Sequence, residues 1–267
     1  MNQKKILLIS IAIIIISTLW AQDRLFTYTY QSGVLNKGQR ELEVFNTLRT
    51  GKAEYYGRFD NRIEFETGLA KNLQTSFYLN LTSITESVGI NPTKSLQTEH
   101  EISFSNEWKY KIFDPLLNPF GMALYGEYEI GTTEYGLEGK LIIDKKIDNF
   151  DVAANATYEL ELHANSNPDI TNWEKVARAD LNLSVAYELN SHLHLTLENV
   201  FQNVFQSGIL SHNALYSGLG ISYSQDKYWI NFTVLPQIVS FKGQNTNNLN
   251  LDEFEKIQFR LLFSYAI

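Results

Sequence analysis

Between Tyr56 and Gly68, in YGRFDNRIEFETG, a charge falls on every second residue: Arg58, Asp60, Arg62, Glu64 and Glu66, with Phe59, Ile63 and Phe65 between them. In an extended strand such alternation sends the charges to one side and the apolar residues to the other. Two kinds of chemistry suit a row that carries both signs. Opposed charges can set up a transverse field that orients a small polar or charged solute. They can also pair and close the space between them, because an unpaired charge out of reach of water is costly.

Catalytic constellations are sparse. The chain has five histidines and no cysteine, which removes disulfides, thiolate metal sites and a cysteine nucleophile. No His-x-x-x-His, Gly-x-Ser-x-Gly or Gly-rich phosphate loop occurs. Ser83 and His100 share the apolar-side parity of their segments, the arrangement a lipid-acting acyl hydrolase would need. Such a pair also requires hydrogen-bond contact and a third group to orient the base. The Asn/Asp-rich stretch from Gln244 to Glu253 offers oxygen ligands without a calcium-loop spacing, and reads as a solvated external loop. The residues therefore describe a non-enzyme with no cofactor and no metal site.

The elements that would position these charges are strands. Alternation recurs in RELEVFNTLR, LQTSFYLNLTS, EISFSNEWKY, FGMALYGEYEIG, EYGLEGKLIID, FDVAANATYELEL, VARADLNLSVAYEL, LHLTLENVF, ALYSGLGISY, YWINFTVL and KIQFRLLFSYAI, each bounded by turn residues. With the opening stretch these make about twelve strands of about 9 to 16 residues, longer than the usual five or six of soluble strands. The connections alternate as a membrane barrel requires if both ends of the barrel lie in the periplasm. Short inner turns fall at GLAKN, KIDN, NSH and SQD, with the longer KIFDPLLNP on the same side. TGKAEYY, ESVGINPTKS, GTT, HANSNPDITN, QSGILSHN and KGQNTNNLNLDE fall outside. Pro92, Pro115, Pro119 and Pro168 sit in connections, and Pro236 near an outer strand end. Trp108, Tyr110 and Trp173 stand at strand ends, where amphipathic rings suit the membrane interface.

The first residues, MNQKKILLISIAIIIISTLWAQ, carry two lysines, an apolar run and small residues before Gln22, the order of a cleaved secretory signal over residues 1–21. Its loss removes Lys4 and Lys5 and takes the net charge from −8 to −10. So acidic a chain is a poor nucleic-acid partner. No second long apolar run follows, so helical membrane spans are excluded. The expected architecture is all-β: a transmembrane antiparallel up-and-down barrel over 39–267, preceded by a segment 22–38 able to fold inward as a partial plug. A secreted sandwich or lipocalin-like barrel would alternate similarly.

In the barrel the apolar faces meet lipid. The lumen would be lined by Glu41, Glu43, Arg49, Arg58, Asp60, Arg62, Glu64, Glu66, Tyr78, Glu101, Lys109, Glu127, Glu129, Glu138, Lys140, Glu159, Glu161, Arg178, Asp180, Glu188, Glu198 and Arg260. About twelve strands lie between a barrel filled by its own side chains and an open porin, so a narrow polar lumen is expected.

RELEVFNTLRTGK followed by RIEFETGLAKNLQTSFYLN resembles a poorly characterised family of outer-membrane barrels related to the porin-like group named after the phenol meta-cleavage pathway. The matching residues are Glu41, Glu43, Arg49, Gly51, Lys52, Arg62, Glu64, Glu66, Gly68, Gln74, Ser76, Tyr78 and Leu79. The resemblance implies a barrel in the outer membrane of a Gram-negative-type bacterium, with lipid, the barrel-assembly machinery and small solutes as partners and no established substrate. The alternatives to a narrow passive channel are a lipid-acting enzyme and a closed structural or adhesive barrel.

Overall fold

The computed structural model describes residues 24–89, 93–132, 134–164 and 173–267. The signal segment 1–21 and Pro92 and Pro168 lie outside the described residues. Period-two alternation becomes twelve strands: β1 (Arg40–Thr50), β2 (Tyr56–Ala70), β3 (Leu73–Val88), β4 (Ser95–Phe113), β5 (Gly121–Gly131) and β6 (Glu134–Ile147), then β7 (Phe150–Ala164), β8 (Trp173–Asn190), β9 (Leu193–Gln206), β10 (Ile209–Gln225), β11 (Tyr228–Val239) and β12 (Ile257–Ala266). Each pairs antiparallel with its neighbours in sequence. β1 closes the ring on β12, from Glu41 opposite Ala266 to Thr50 opposite Ile257. Closure leaves no unpaired sheet edge, the condition a sheet must meet to stand in lipid.

The two faces differ as the alternation requires. Leu42, Leu48, Phe59, Ile63, Phe77, Leu79, Phe104, Leu181, Leu195, Leu219, Phe263 and Tyr265 point outward and are exposed, while Glu41, Glu43, Glu64, Tyr78, Glu107 and Glu198 point inward and are buried. An exposed apolar surface of this extent on all sides of a barrel suits hydrocarbon rather than water.

The two ends of the barrel also differ. At the near end, where β1 begins and β12 ends, most connections are two-residue turns, as at Lys71–Asn72, Asp148–Asn149 and Asp226–Lys227. The turn after β4 is longer and is held by Asp114, which accepts Lys111 Nζ–H at 2.8 Å and Leu116 N–H at 3.0 Å.

Three expectations are corrected. QSGILSHN is not a long outer loop: Ser207 and Gly208, at φ 52° and 78°, form a two-residue turn, and β10 starts at Ile209. Two successive positive φ values give the turn the twist of the strands it joins. The register shift between Leu210 and His212 puts an extra residue in β10 and breaks the alternation there, so sequence parity alone hides this part of the strand. Strands reach 19 residues in β4 rather than 16, because the polar SLQTEH continues the ladder past the apolar stretch.

The third correction concerns the Gln244–Glu253 loop. Asn250 and Leu251 are buried, as are Phe254 and Glu255 just beyond, so the later part of this connection folds over the far mouth instead of standing in solvent. Phe254 packs on Val200, Val204, Ala214, Tyr216 and Leu235, an apolar patch on the inner wall that draws the loop in. Asn250 N–H donates to Gln237 Oε1 at 2.7 Å and fixes its position.

Candidate functional site: the lumen and the segment threaded through it

Residues 24–35 run inside the barrel, and 36–38 leave it at the near end. This stretch pairs with no strand as a ladder, so its backbone groups need other partners. Wall side chains supply them. Glu198, fully buried on β9, accepts Thr27 N–H and Thr27 Oγ1–H at 2.8 Å, Tyr28 N–H at 2.8 Å and Thr29 N–H at 3.3 Å. Asn155 accepts Tyr30 N–H at 2.7 Å and returns its own amide to the Tyr30 carbonyl at 2.9 Å. Asn182 and Asn231 donate to the carbonyls of Tyr28 and Arg24, at 3.2 and 2.6 Å. Asp144 accepts Ser32 N–H at 3.1 Å, and Gln74 accepts Leu35 N–H at 2.8 Å. The apolar side chains of the segment find room where the inner wall is small: Leu25 and Phe26 pack on Ala153 and Ala186. At the exit, a Cβ on Gly68 would stand 2.1 Å from the Asn36 carbonyl oxygen, so only glycine lets the chain pass.

At the level of the segment, aromatic rings and cations form a waist. Arg24 lies 4.0 Å over Tyr30, Arg62 4.3 Å over Tyr78, Lys140 4.2 Å over Tyr30 and 4.3 Å over Tyr125, and Arg260 4.6 Å over Tyr28. Phe45 stands between Arg24, Arg62 and Arg260. Each contact holds a cation against a ring face, and the Lys140 and Arg260 contacts tie the wall to the segment.

Beyond the waist, toward the far mouth, are two polar cavities of about 360 and 230 Å³ that share Arg49, Arg62, Glu129, Glu159, Arg178 and Arg260 in their walls. Most charges expected on the lumen face gather here, many of them paired. Asp60 joins Arg49 at 2.9 Å and Arg58 at 2.6 Å; Arg49 also reaches Glu255 at 3.5 Å. Glu138 meets Lys140 at 2.8 Å, Glu161 meets Arg178 at 3.3 Å, and Arg62 lies 3.9 Å from Glu127. Glu127 accepts the Tyr125 hydroxyl and Glu129 the Ser103 hydroxyl. Asp180 accepts Asn203 N–H at 3.4 Å. Glu101 and Glu159 line the same space, and Tyr78 donates to Glu107 within the wall.

On the near side of the waist a third cavity, of about 50 Å³, is lined by Glu41, Glu43, Glu64, Glu66 and Lys109 together with Arg24. Glu188 stands at the near rim and pairs with Lys146 at 2.5 Å. The expected lumen residues thus divide into a paired vestibule on one side of the segment and an acidic cluster on the other.

Ser83 and His100 are direct cross-strand partners on the outward face. Among the described residues neither side chain makes a hydrogen bond, and no third group orients the imidazole.

Sequence reasoning did not single out Arg24, Tyr28, Tyr30, Phe45, Tyr125, Asn155, Asn182 or Asn231. A signal for Phe45 was available: it is an aromatic residue at inward parity in the otherwise polar row Glu41, Glu43, Thr47 and Arg49. The asparagines give none, since they look like any polar lumen residue until the segment lies beside them.

No curated protein matches the chain. Among solved structures it is similar to the KdgM porin, with TM-score 0.53 and 9% identity over 85% of this chain and 99% of that one. The NanC porin gives TM-score 0.52 and 13% identity over 85% and 100%. The translocator domain of the autotransporter NalP from Neisseria meningitidis gives 0.55 and 10% over 87% and 90%. At such identities these likenesses establish the fold, a closed outer-membrane-type β-barrel. The pattern of a family of unknown function matches residues 18–267, nearly the whole chain, and this protein therefore belongs to the DUF6662 family.

Proposed function

We propose that this protein is a porin-like passive channel of the bacterial outer membrane for small polar or charged solutes, narrowed by residues 24–35. The near end is then periplasmic and the two larger cavities form an external vestibule. One observation carries the reading: an apolar outer face encloses polar cavities of about 360 and 230 Å³ walled by charges of both signs. A structure that only needed to close could fill this volume with side chains. The resemblance of the early strands to a poorly characterised family of outer-membrane barrels supports a channel and says nothing of phenol.

The anchoring of the segment by Glu198 favours a second reading, a barrel closed at rest. Planar-bilayer recording separates the two. The channel predicts discrete conductance steps smaller than those of an open sixteen-strand porin. Absence of steps over a range of salts and voltages would leave the closed barrel. The outward Ser83–His100 pair gives the lipid-acting enzyme little support, since it lacks both the hydrogen bond and the orienting group that nucleophilic catalysis needs.

A further inference from the structure

On β1 and β2 the register sets Glu41 opposite Glu66 and Glu43 opposite Glu64, so like charges face each other twice on adjacent rungs. Directly opposed like charges destabilise a sheet pair, and more so when water is excluded. Glu41, Glu43 and Glu64 are buried. One carboxylate oxygen from each of Glu41, Glu43 and Glu66 can be chosen so that all three lie within 4.8 Å of one another. The centre of such a triangle lies at most about 2.8 Å from each oxygen, so a small side-chain movement brings all three to the calcium–oxygen distance of about 2.3–2.6 Å.

A separate observation points to a ligand. Glu64, only 3% exposed, turns to the same cavity, and among the described residues its Oε2 has no hydrogen-bond partner. A buried carboxyl oxygen left without a partner is rare in folded proteins and calls for an ion or water. Neither cation in the cavity wall bonds to Glu64: among the described residues Lys109 makes no salt bridge and stands 5.8 Å over the Tyr30 ring. Arg24 gives Nε–H to the Phe26 carbonyl at 2.9 Å and an Nη2–H to the Thr27 carbonyl at 3.1 Å, and stacks on Tyr30. Four carboxylates against Arg24 and Lys109 leave a formal charge of −2 around the cavity. Its volume, about 50 Å³, suits a cation with a water or two.

We propose that Glu41, Glu43, Glu64 and Glu66 bind one divalent cation of the hard, oxygen-seeking class, calcium above magnesium, beneath the segment that crosses the lumen. An all-carboxylate site of flexible geometry suits calcium, whereas magnesium keeps a stricter octahedron and its own waters. The bound ion would tie β1 to β2 and neutralise the floor on which residues 24–35 rest.

Trp229 lines the same cavity and supplies a readout. Terbium stands in for calcium, and its emission is sensitised by a nearby indole. The full-length protein, folded in detergent, is titrated with terbium under tryptophan excitation, and calcium binding is counted by equilibrium dialysis. We expect emission that saturates at one ion per chain and is displaced by calcium at lower concentration than by magnesium. Trp229→Phe should remove the emission yet leave one dialysable calcium. Glu43→Gln and Glu64→Gln, made singly, should each weaken binding at least tenfold while retaining the heat-modifiable gel mobility of a folded barrel. Saturation at the same terbium concentration in both glutamine variants, or no saturable site in the wild type, would overturn the proposal. The result does not depend on conduction, so a non-conducting protein that binds one calcium would refute the channel and keep the site.

Discussion

Glu198→Ala tests the anchoring of the threaded segment. Glu198 holds it through three backbone N–H groups and the Thr27 hydroxyl, at 2.8 to 3.3 Å. It also accepts Thr233 Oγ1–H at 2.8 Å from the wall, a hydroxyl that can turn to another acceptor. Hydrogen bonds to a charged group contribute about 1.5–3 kcal/mol each, so the four to the segment set a ceiling of about 6–12 kcal/mol. Alanine leaves a polar space that water can enter, and rehydration of the donors offsets about half, leaving about 3–6 kcal/mol. At about 1.4 kcal/mol per factor of ten, the balance between seated and released segment shifts by about 10²- to 10⁴-fold. Hydrogen exchange on the folded protein reads this directly. The amides of Thr27, Tyr28 and Thr29 should lose protection by that factor, while amides of the paired strands keep theirs. Unchanged protection at these three amides, with the barrel intact, would refute the anchoring role of Glu198.

Two further outcomes follow from other parts of the fold. Leu219 is 72% exposed on the outward face near the middle of β10; Leu219→Arg should destabilise the barrel by about 2–4 kcal/mol in lipid, read from the urea midpoint, whereas a water-facing position would tolerate it. At the near end, the Lys111 hydrogen bond holds the Asp114 carboxyl below the usual carboxylate range. A carboxyl depressed in the folded state stabilises above its unfolded value and ceases to as pH falls through the folded one. The turn should therefore stay ordered through mildly acidic pH and loosen only below the ordinary carboxylate range. Exchange at Leu116 N–H, with Asp114→Asn as the comparison, checks both the sign and the window.

The barrel was legible because its main signal is local. Alternation depends only on a residue and its neighbours two places away, so the facing of Glu41, Glu43, Phe59 and Ile63, and the number of strands, follow from reading along the chain. Where that period is interrupted the reading fails. The extra residue at Ser211 hid the start of β10, and the apolar patch around Tyr216, which draws in Phe254, is assembled from β9, β10 and β11.

The site was less legible because it depends on which strand edge meets which, and on where an unpaired segment runs. No local pattern states that Glu43 stands across from Glu64 instead of from an arginine; the register of β1 on β2 decides it. Nor does any local pattern distinguish Glu198 from the other glutamates expected in the lumen. It becomes the anchor only because residues 27–29, 169 to 171 positions earlier, pass beside it. By itself the sequence determined a closed sheet with one face for lipid and one for charge, since side-chain direction is a property of the strand. Only the tertiary structure decided which charges pair, which four glutamates share a cavity, and how a strandless segment finds donors and acceptors inside the ring, since those are contacts between residues far apart in the chain.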